Sequence, residues 1–353
     1  MLNFHVLFLW WLFNPLTTQH EQVPHLFPMQ PIPKVELVNS SFVYTKAPFK
    51  SCHASSVVAL GDGELLATWF GGTAEKNPDV TIWTSRFDGT SWQEIRQVAD
   101  GIQTSDHRYP CWNPVLFKHS SGTLFLFYKV GPSPREWWGE MIESQDNGLT
   151  WTSPRKLKDD FLGPIRAKPK EMSNGDILCP SSIEYDQGNW KVHMEFFTPS
   201  ESTWTRIDVD PETQYDVIQP TILDHGLEEL QILCRSRQNR IIQSRSSDGG
   251  RSWGPLEATN LPNPSAGIDG ITLSNGDHLL VYNPTENGPA DRAKLMLSYS
   301  SDGSSWEEIY PLENHDKGEY SYPAIIQDEE GLVHVTYTWQ RERIKHVVLK
   351  LTY

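Results

Sequence analysis

Short apolar runs alternate with polar turns along most of this chain. Six of the runs follow a turn that contains glycine and are rich in Val, Ile, Leu, Phe and Tyr; the turn glycines are Gly63, Gly122, Gly175, Gly226, Gly276 and Gly331. Glycine supplies the positive φ that tight hairpins require, and the residue types of the runs favour strands. The pattern therefore predicts six β-hairpins, one roughly every fifty residues.

A second pattern, polar turns that end in tryptophan, runs out of phase with the hairpins. Two of these turns spell S-x-D-x-G-x-[ST]-W, at 144–151 and 246–253, and two shorter versions end at Trp92 and Trp306. A degenerate fifth turn ends at Trp204. In such a turn Asp accepts backbone N–H groups, Gly takes the left-handed conformation and Trp packs between neighbouring sheets. We interpret these turns as structural, on the rim away from a ligand.

Together the two patterns predict an all-β fold, a six-bladed β-propeller over residues 35–353. The final apolar run, Arg343 to Leu351, is predicted to share a blade with an N-terminal strand near Val35 to Tyr44. This pairing closes the ring, so that no sheet edge is left open.

The beginning of the chain differs from the repeats. The apolar run from Val6 to Phe13 precedes polar residues, as in a secretory signal, although no positively charged segment precedes it. We predict a signal peptide over 1–19, a proline-containing linker over 20–34 and a secreted or extracytoplasmic protein. A disordered or buried tail, and a cytoplasmic location, are the alternatives. The sequon at Asn39 is meaningful only in a glycosylating compartment.

Composition excludes several classes of function. The net charge of −15 provides no basic footprint for nucleic acid, and the sequence has no stretch of about 18 apolar residues to span a membrane. The four cysteines fall in different repeats without a C-x-x-C pair, which argues against zinc. We expect buried free thiols, with a bridge between Cys52 and Cys111 as the alternative. We also expect no metal, no cofactor and a monomer.

Functional residues are expected on the first strand of each blade, because these strands line the central channel of a propeller. When the strands are aligned on their hairpin glycines, a polar residue precedes each apolar run: His53, Asn113, Lys168, Gln219, Asp269 and Tyr320. Six polar groups that converge on one mouth, with Trp112 beside Asn113, form the usual kind of ligand site.

The tryptophan turns within a six-bladed pattern resemble those of the sialidase superfamily, the BNR or Asp-box propellers, from about residue 35 onward. The resemblance implies an arginine clamp for a substrate carboxylate, a tyrosine nucleophile with a glutamate base, and an acid for the leaving oxygen. Glu319-Tyr320-Ser resembles the G-Y-S nucleophile strand, which implies Tyr320 as the nucleophile. The runs that end in Arg235 and contain Arg292 resemble the segments with the second and third arginines.

Two positions depart from the family pattern. The opening R-I-P-S reads His53-Ala-Ser-Ser here, so that histidine replaces the first arginine, and the E-P-S of the base reads Gln219-Pro-Thr. Glutamine does not accept the tyrosine proton, whereas histidine is able to act as a base near neutral pH. The family's acid lies in the loop after the first hairpin, where Glu75 and Asp79 are both candidates.

Three functions are compatible with these residues. The first is a sialidase-like exo-glycosidase, in which Arg235 and Arg292 hold the carboxylate of a terminal acidic sugar and Tyr320 is the nucleophile. The second is a uronate lyase on the same propeller, with His53 or Tyr320 removing the α proton. The third is a non-catalytic propeller that binds acidic glycans, with Trp137 and Trp138 stacking on sugar rings. In each case the partner is an acidic carbohydrate.

Overall fold

The computed structural model describes residues 31–185 and 188–353. The predicted signal peptide over 1–19 and the predicted linker up to residue 30 lie outside the described residues. Within those two ranges the regular elements are β-strands, and most of them form six antiparallel sheets of four strands each. The predicted six-bladed β-propeller is therefore confirmed.

Each of the first three blades follows the chain from one strand to the next. The first blade contains β2 (Ser51–Gly61), β3 (Glu64–Gly72), β4 (Thr81–Phe87) and β5 (Arg96–Ala99). A small hairpin of β6 (Ile102–Thr104) and β7 (His107–Arg108) leads to the second blade, β8 (Cys111–Lys118), β9 (Leu124–Val130), β10 (Trp138–Ser144) and β11 (Arg155–Lys156). The third blade contains β12 (Lys170–Glu171), β13 (Ile177–Glu184), β14 (Trp190–Thr198) and β15 (Thr203–Asp208).

The remaining blades complete the ring. The fourth contains β16 (Val217–Gly226), β17 (Glu229–Ser236), β18 (Arg240–Ser246) and β19 (Glu257–Pro262), and the fifth contains β20 (Asp269–Thr272), β21 (His278–Tyr282), β22 (Lys294–Ser300) and β23 (Glu307–Asn314). The sixth combines β24 (Tyr320–Gln327), β25 (Val333–Trp339) and β26 (Arg343–Thr352) with β1 (Lys34–Phe42) from the start of the described chain. β1 pairs antiparallel with β26 from Lys34 opposite Thr352 to Phe42 opposite Lys345, which confirms the predicted ring closure.

The six predicted hairpins join the first two strands of every blade. Their turn glycines all have positive φ, between 75° at Gly63 and 92° at Gly276. A Cβ at this φ is strained, which explains why glycine recurs at this point of the repeat.

The tryptophan turns join the third and fourth strands of their blades and pack against the preceding blade. In the turn after β10, the Asp146 carboxylate accepts hydrogen bonds from Thr150 N at 2.8 Å and from Ser144 Oγ at 2.7 Å. A Cβ added at Gly148 would lie 2.7 Å from Leu66 of the first blade, which shows how closely the turn approaches its neighbour. The structure therefore gives these turns the structural role predicted from the sequence.

Four of the inner strands contain a bulge at the same level. The pairing register shifts after His53, Trp112, Ile218 and Ser321. Each shift contains a non-glycine residue in the left-handed conformation: Ala54, Asn113, Gln219 and Tyr322, with φ between 39° and 55°. Bulges re-aim side chains, and strained backbone of this kind is concentrated at functional sites. The bulges therefore mark one level of the channel as a candidate site.

All four cysteines are free and buried, as predicted. Burial raises the pKa of the Cys52 thiol to about 12, with smaller effects of neighbouring groups. These thiols therefore remain protonated and serve as small apolar side chains of the blade interfaces.

Candidate functional site

A cavity of about 480 Å³ opens at the bulged level of the channel. Five blades contribute side chains to its wall: His53, Glu75, Lys76, Trp112, Asn113, Ser133, Pro134, Arg135, Trp137, Glu184, Trp190, Gln219, Arg235 and Tyr322. The wall combines three tryptophans with charges of both signs, a composition that suits a polar, ring-shaped ligand.

Tyr322 lies at the centre of this site. Its backbone has a φ of 52°, and the bulge directs its side chain into the cavity. Arg235 Nη1 donates a hydrogen bond to the Tyr322 hydroxyl at 2.6 Å, and the same nitrogen lies 3.3 Å from Gln219 Oε1. Arg235 Nε lies 3.3 Å from Ser265 Oγ. The phenol is therefore held by a guanidinium, where the family pattern has a glutamate base.

Two further guanidinium groups lie against the Tyr322 ring. The Cζ atoms of Arg166 and Arg292 are 5.5 Å and 5.6 Å from the ring centroid, within the range of cation–π contacts. Burial opposes ionisation of the phenol, but the positive charges of Arg235 and Arg292 outweigh it, so that the pKa of Tyr322 lies below its ordinary value of 10.0. The Tyr322 hydroxyl therefore loses its proton at a lower pH than a tyrosine in water does.

His53 packs beside Tyr322, with 4.0 Å between the two ring centroids. His53 Nδ1 is hydrogen-bonded to Thr338 Oγ1 at 2.9 Å, while Nε2 has no hydrogen-bond partner among the described residues. Burial, and then the charges of Arg341 and Arg292, hold the pKa of His53 well below 6.5. The imidazole is therefore neutral at physiological pH.

A chain of ion pairs links the sixth blade to the loop between β3 and β4. Glu319 Oε1 lies 3.2 Å from Arg292 Nη1 and 2.6 Å from Arg341 Nε. Arg341 Nη1 lies 2.6 Å from Glu75 Oε2. The sequence analysis assigns no functional role to Glu319, which appears there only as the residue before Tyr320, or to Arg341, whose turn matches no motif.

The structure corrects the position assigned to Tyr320. Its hydroxyl accepts a hydrogen bond from Gln340 Nε2 at 2.7 Å, and its ring stacks on His315 with the centroids 4.8 Å apart. Tyr320 does not line the cavity, and Tyr322 occupies the central position instead. Tyr322 lies nine residues before its hairpin glycine Gly331, as Asn113 lies nine residues before Gly122, whereas Tyr320 lies eleven residues before Gly331. Asn113, Gln219 and Tyr322 each precede a proline, and an alignment on these X-Pro dipeptides places Tyr322 level with the other two.

Three other predicted site residues lie away from the cavity. Lys168 Nζ pairs with Asp269 Oδ2 at 2.9 Å, and Asp269 also accepts hydrogen bonds from Thr221 Oγ1 and Ile325 N. This pair joins inner strands along the channel and is unavailable to a ligand in the cavity. Asp79 accepts a hydrogen bond from Thr73 N at 2.9 Å and closes its own loop, so that only Glu75 of the two loop acids reaches the wall.

The two predicted clamp arginines differ in exposure. Arg235 lines the cavity, whereas Arg292 lies behind Tyr322 with 11% of its side chain exposed. His53, Asn113, Trp112 and Gln219 also line the wall. The sequence analysis did not identify Arg166, Glu184 or Trp190, and none of these three residues precedes a proline.

Among residues 31–185 and 188–353, no three His, Cys, Asp or Glu side chains are grouped as metal ligands. In the same part of the chain, no helix has the length and apolar character to cross a membrane.

Fold and site together define a β-propeller with a cavity built around a buried tyrosine at one channel mouth. A sequence model of the family BNR_2, described as a BNR repeat-like domain, matches residues 63–335. The chain therefore belongs to the BNR repeat-like domain family. A comparison with curated proteins finds no match.

Three solved structures illustrate the likeness in fold. A protein of unknown function from Dyadobacter fermentans has 17% identity and a TM-score of 0.75, over 91% of this chain and 100% of that chain. The Hadza microbial sialidase Hz136 has 16% identity and a TM-score of 0.70, over 84% and 65%. The Trypanosoma rangeli sialidase has 15% identity and a TM-score of 0.65, over 85% and 55%. The predicted resemblance to sialidase-superfamily propellers is thus confirmed for the fold.

Proposed function

We propose that this protein is a glycosidase that releases a terminal acidic sugar from a glycan, with Tyr322 as its nucleophile. The observation that carries the proposal is the 2.6 Å contact between the Tyr322 hydroxyl and Arg235 inside a cavity with a tryptophan-rich wall. A phenol supported by guanidinium groups suits an anionic substrate, since it becomes nucleophilic without a carboxylate base that would repel the sugar.

Arg235 is the group placed to bind the sugar carboxylate. It lines the cavity, and its planar fork matches a carboxylate in two hydrogen bonds. Arg292 supplies positive charge from behind the Tyr322 ring. As the substrate binds, its carboxylate takes over hydrogen bonds of Arg235, and the Tyr322 oxygen turns to the anomeric carbon.

The reaction then proceeds in two displacements. The Tyr322 phenolate forms a bond to the anomeric carbon as the glycosidic C–O bond breaks, and the leaving oxygen takes a proton from an acid of the cavity. Water next attacks the anomeric carbon, gives a proton back to that acid and releases Tyr322. In this scheme the Tyr322 proton leaves to solvent before the attack, which the positive charges of Arg235 and Arg292 favour, and Gln219 has no basic function.

A matched pair of tyrosine variants tests the proposal. The wild type, Tyr322→Phe and Tyr320→Phe are assayed on 4-methylumbelliferyl glycosides of N-acetylneuraminic, glucuronic and galacturonic acid. We expect Tyr322→Phe to lose activity on the order of 10³-fold and Tyr320→Phe to stay close to the wild type. Equal losses in the two variants would contradict the role of Tyr322. Glycan binding that survives Tyr322→Phe, with no product from any variant, would favour a non-catalytic binding protein.

The neutral His53 beside Tyr322 favours a second candidate, a lyase that acts on a uronate. Arg235 would neutralise the carboxylate, His53 would take the proton from C5, and the C4–O bond would break to leave a C4=C5 double bond. The leaving oxygen would take the Tyr322 proton. An oligosaccharide panel read for ultraviolet absorbance and for reducing sugar separates the candidates, since the lyase alone produces an absorbing unsaturated uronate.

A further inference from the structure

Glu184 is a cavity carboxyl that matches no position of the family pattern. It is the last residue of β13, in the third blade, and lies opposite Trp190 in the strand pairing. Both residues line the same cavity as Tyr322 and Arg235. Glu184 is half-buried, so that its carboxyl is at the edge of the cavity and not in the core.

The surroundings of Glu184 differ from those of the other acids near the site. Glu75 pairs with Arg341 at 2.6 Å, and Glu319 pairs with both Arg292 and Arg341. The carboxylates of Glu75 and Glu319 are therefore occupied by guanidinium donors. Glu184 forms no ion pair with any residue of the described chain.

The charged groups that face Glu184 do not cancel the effect of burial. Arg235 and Arg237 approach Glu184 from the fourth blade, and Arg135 approaches it from the loop after β9. The Trp190 side chain is the hydrogen-bonding neighbour of the Glu184 carboxyl. Arg237 is committed elsewhere, since it stacks on Trp190 at 4.1 Å and pairs with Asp216. Desolvation outweighs these positive charges and raises the pKa of Glu184.

We propose that Glu184 is the catalytic acid of this cavity, an inference that rests on the proposed glycosidase. The Glu184 O–H bond breaks as its proton passes to the glycosidic oxygen, and the electron pair of the C–O bond stays on that oxygen. In the second displacement the Glu184 carboxylate takes a proton from the attacking water. The two cavity carboxyls then have different tasks. Glu184, which has no ion-pair partner among the described residues, transfers the proton, and Glu75, which is paired with Arg341, orients that arginine.

The tryptophans that line the cavity with Glu184 indicate where the leaving group binds. Trp137 and Trp190 line the cavity with Glu184, and Trp137 lies edge-on to Trp112 with 5.9 Å between the centroids. Sugar rings pack well on such surfaces. The leaving group is therefore a further sugar residue of the glycan, with Arg135 beside it.

The test compares leaving groups of different acidity. The wild type, Glu184→Gln, Glu184→Asp and Glu75→Gln are assayed on 4-methylumbelliferyl and methyl glycosides of N-acetylneuraminic and glucuronic acid. A methyl leaving group needs a proton donor and 4-methylumbelliferone hardly does. We expect Glu184→Gln to lose about 10²- to 10⁴-fold on the methyl glycoside and less than about tenfold on the aryl glycoside. Its pH profile should also lose the basic limb, because no acid remains to deprotonate.

Glu184→Asp is expected to restore part of the methyl-glycoside activity, and Glu75→Gln to lower both activities by the same factor. Thermal unfolding of each variant checks that it is folded. Two results with an active wild type would overturn the role of Glu184 and leave the proposed glycosidase standing. One is an equal loss on both glycosides in Glu184→Gln, and the other is a larger loss on the methyl glycoside in Glu75→Gln. A wild type without turnover on any of these glycosides would overturn the proposed function as well.

Discussion

At the scale of single residues, the chemistry of the site depends on what surrounds one phenol. Tyr322 has guanidinium groups at its hydroxyl and along its ring, and an amide, Gln219, where the family pattern has a carboxylate. Positive charge lowers the pKa of the phenol directly, whereas a carboxylate would receive its proton. The replacement of glutamate by glutamine is therefore compatible with a nucleophilic tyrosine.

Gln219→Glu should shift the pH dependence of activity in a direction that identifies the mechanism. The new carboxylate would lie near Arg235 and disfavour the Tyr322 phenolate, which raises the pKa of Tyr322. Because the phenolate form is populated only above that pKa, the acid limb of kcat/KM should move to higher pH. The measurement is kcat/KM against pH for both proteins.

Gln219→Met is the control, since it removes the amide without adding charge, and its acid limb should keep the wild-type position. A limb that moves to lower pH in Gln219→Glu would show that the glutamate acts as a base for the tyrosine, contrary to the phenolate mechanism.

At the scale of strands and turns, the repeat combines two tight backbone features. The hairpin glycines open every blade, and the tryptophan turns fasten blades 1, 2, 4 and 5 to the blade before each of them. The inner-strand bulges are less regular, because they direct side chains into a cavity and not into a repeated contact. Regular features determine the fold, and irregular ones determine the site.

Two glycine variants with nearly the same φ should differ in stability. Gly122 has a φ of 89° with no atom within 4 Å of an added Cβ, whereas Gly148 has a φ of 84° and an added Cβ would lie 2.7 Å from the buried Leu66. Both Gly→Ala changes cost about 1–2 kcal/mol for the left-handed conformation. Gly148→Ala should cost about 1–3 kcal/mol more through overpacking, as measured by denaturant unfolding. Equal costs would mean that blades 1 and 2 are loosely packed here.

At the scale of the whole molecule, the ring gathers residues from distant parts of the chain. His53 and Tyr322 are in contact although they lie at opposite ends of the described sequence. Arginines crowd this site in a protein whose net charge is −15. Arginines around a cavity in an acidic molecule attract anions locally, while the net charge repels polyanions at a distance. For the proposed glycosidase, this arrangement favours a terminal sugar over a long acidic chain.

Removal of β1 should open the ring. A variant that begins at Val43 lacks the strand that pairs with β26, and the free edge invites association with other chains. We expect its midpoint of thermal unfolding to fall by on the order of 10 °C, with soluble oligomers in light scattering. The matched control begins at Pro31 and keeps β1. If both variants are monomers of equal stability, ring closure by β1 contributes little.

The sequence by itself determined the number of blades, the hairpins, the tryptophan turns and the closure of the ring. These features depend on local chemistry, glycine at positive φ and apolar runs between polar turns, which repeats often enough to be read without coordinates. The sequence also singled out His53, Glu75, Gln219 and Arg235, whose side chains line the cavity; the roles assigned to them remain predictions.

Only the tertiary structure decided which tyrosine occupies the centre, and that Lys168, Asp269 and Asp79 are occupied elsewhere. A bulge shifts every following side chain by one place. The X-Pro dipeptides at Asn113, Gln219 and Tyr322 coincide with three of the bulges, but they do not specify what these side chains contact. The environments of Glu184 and Arg341 likewise arise where separate blades meet. Charge, burial and proton affinity at such a meeting point depend on distances through space, which the order of residues along the chain does not specify.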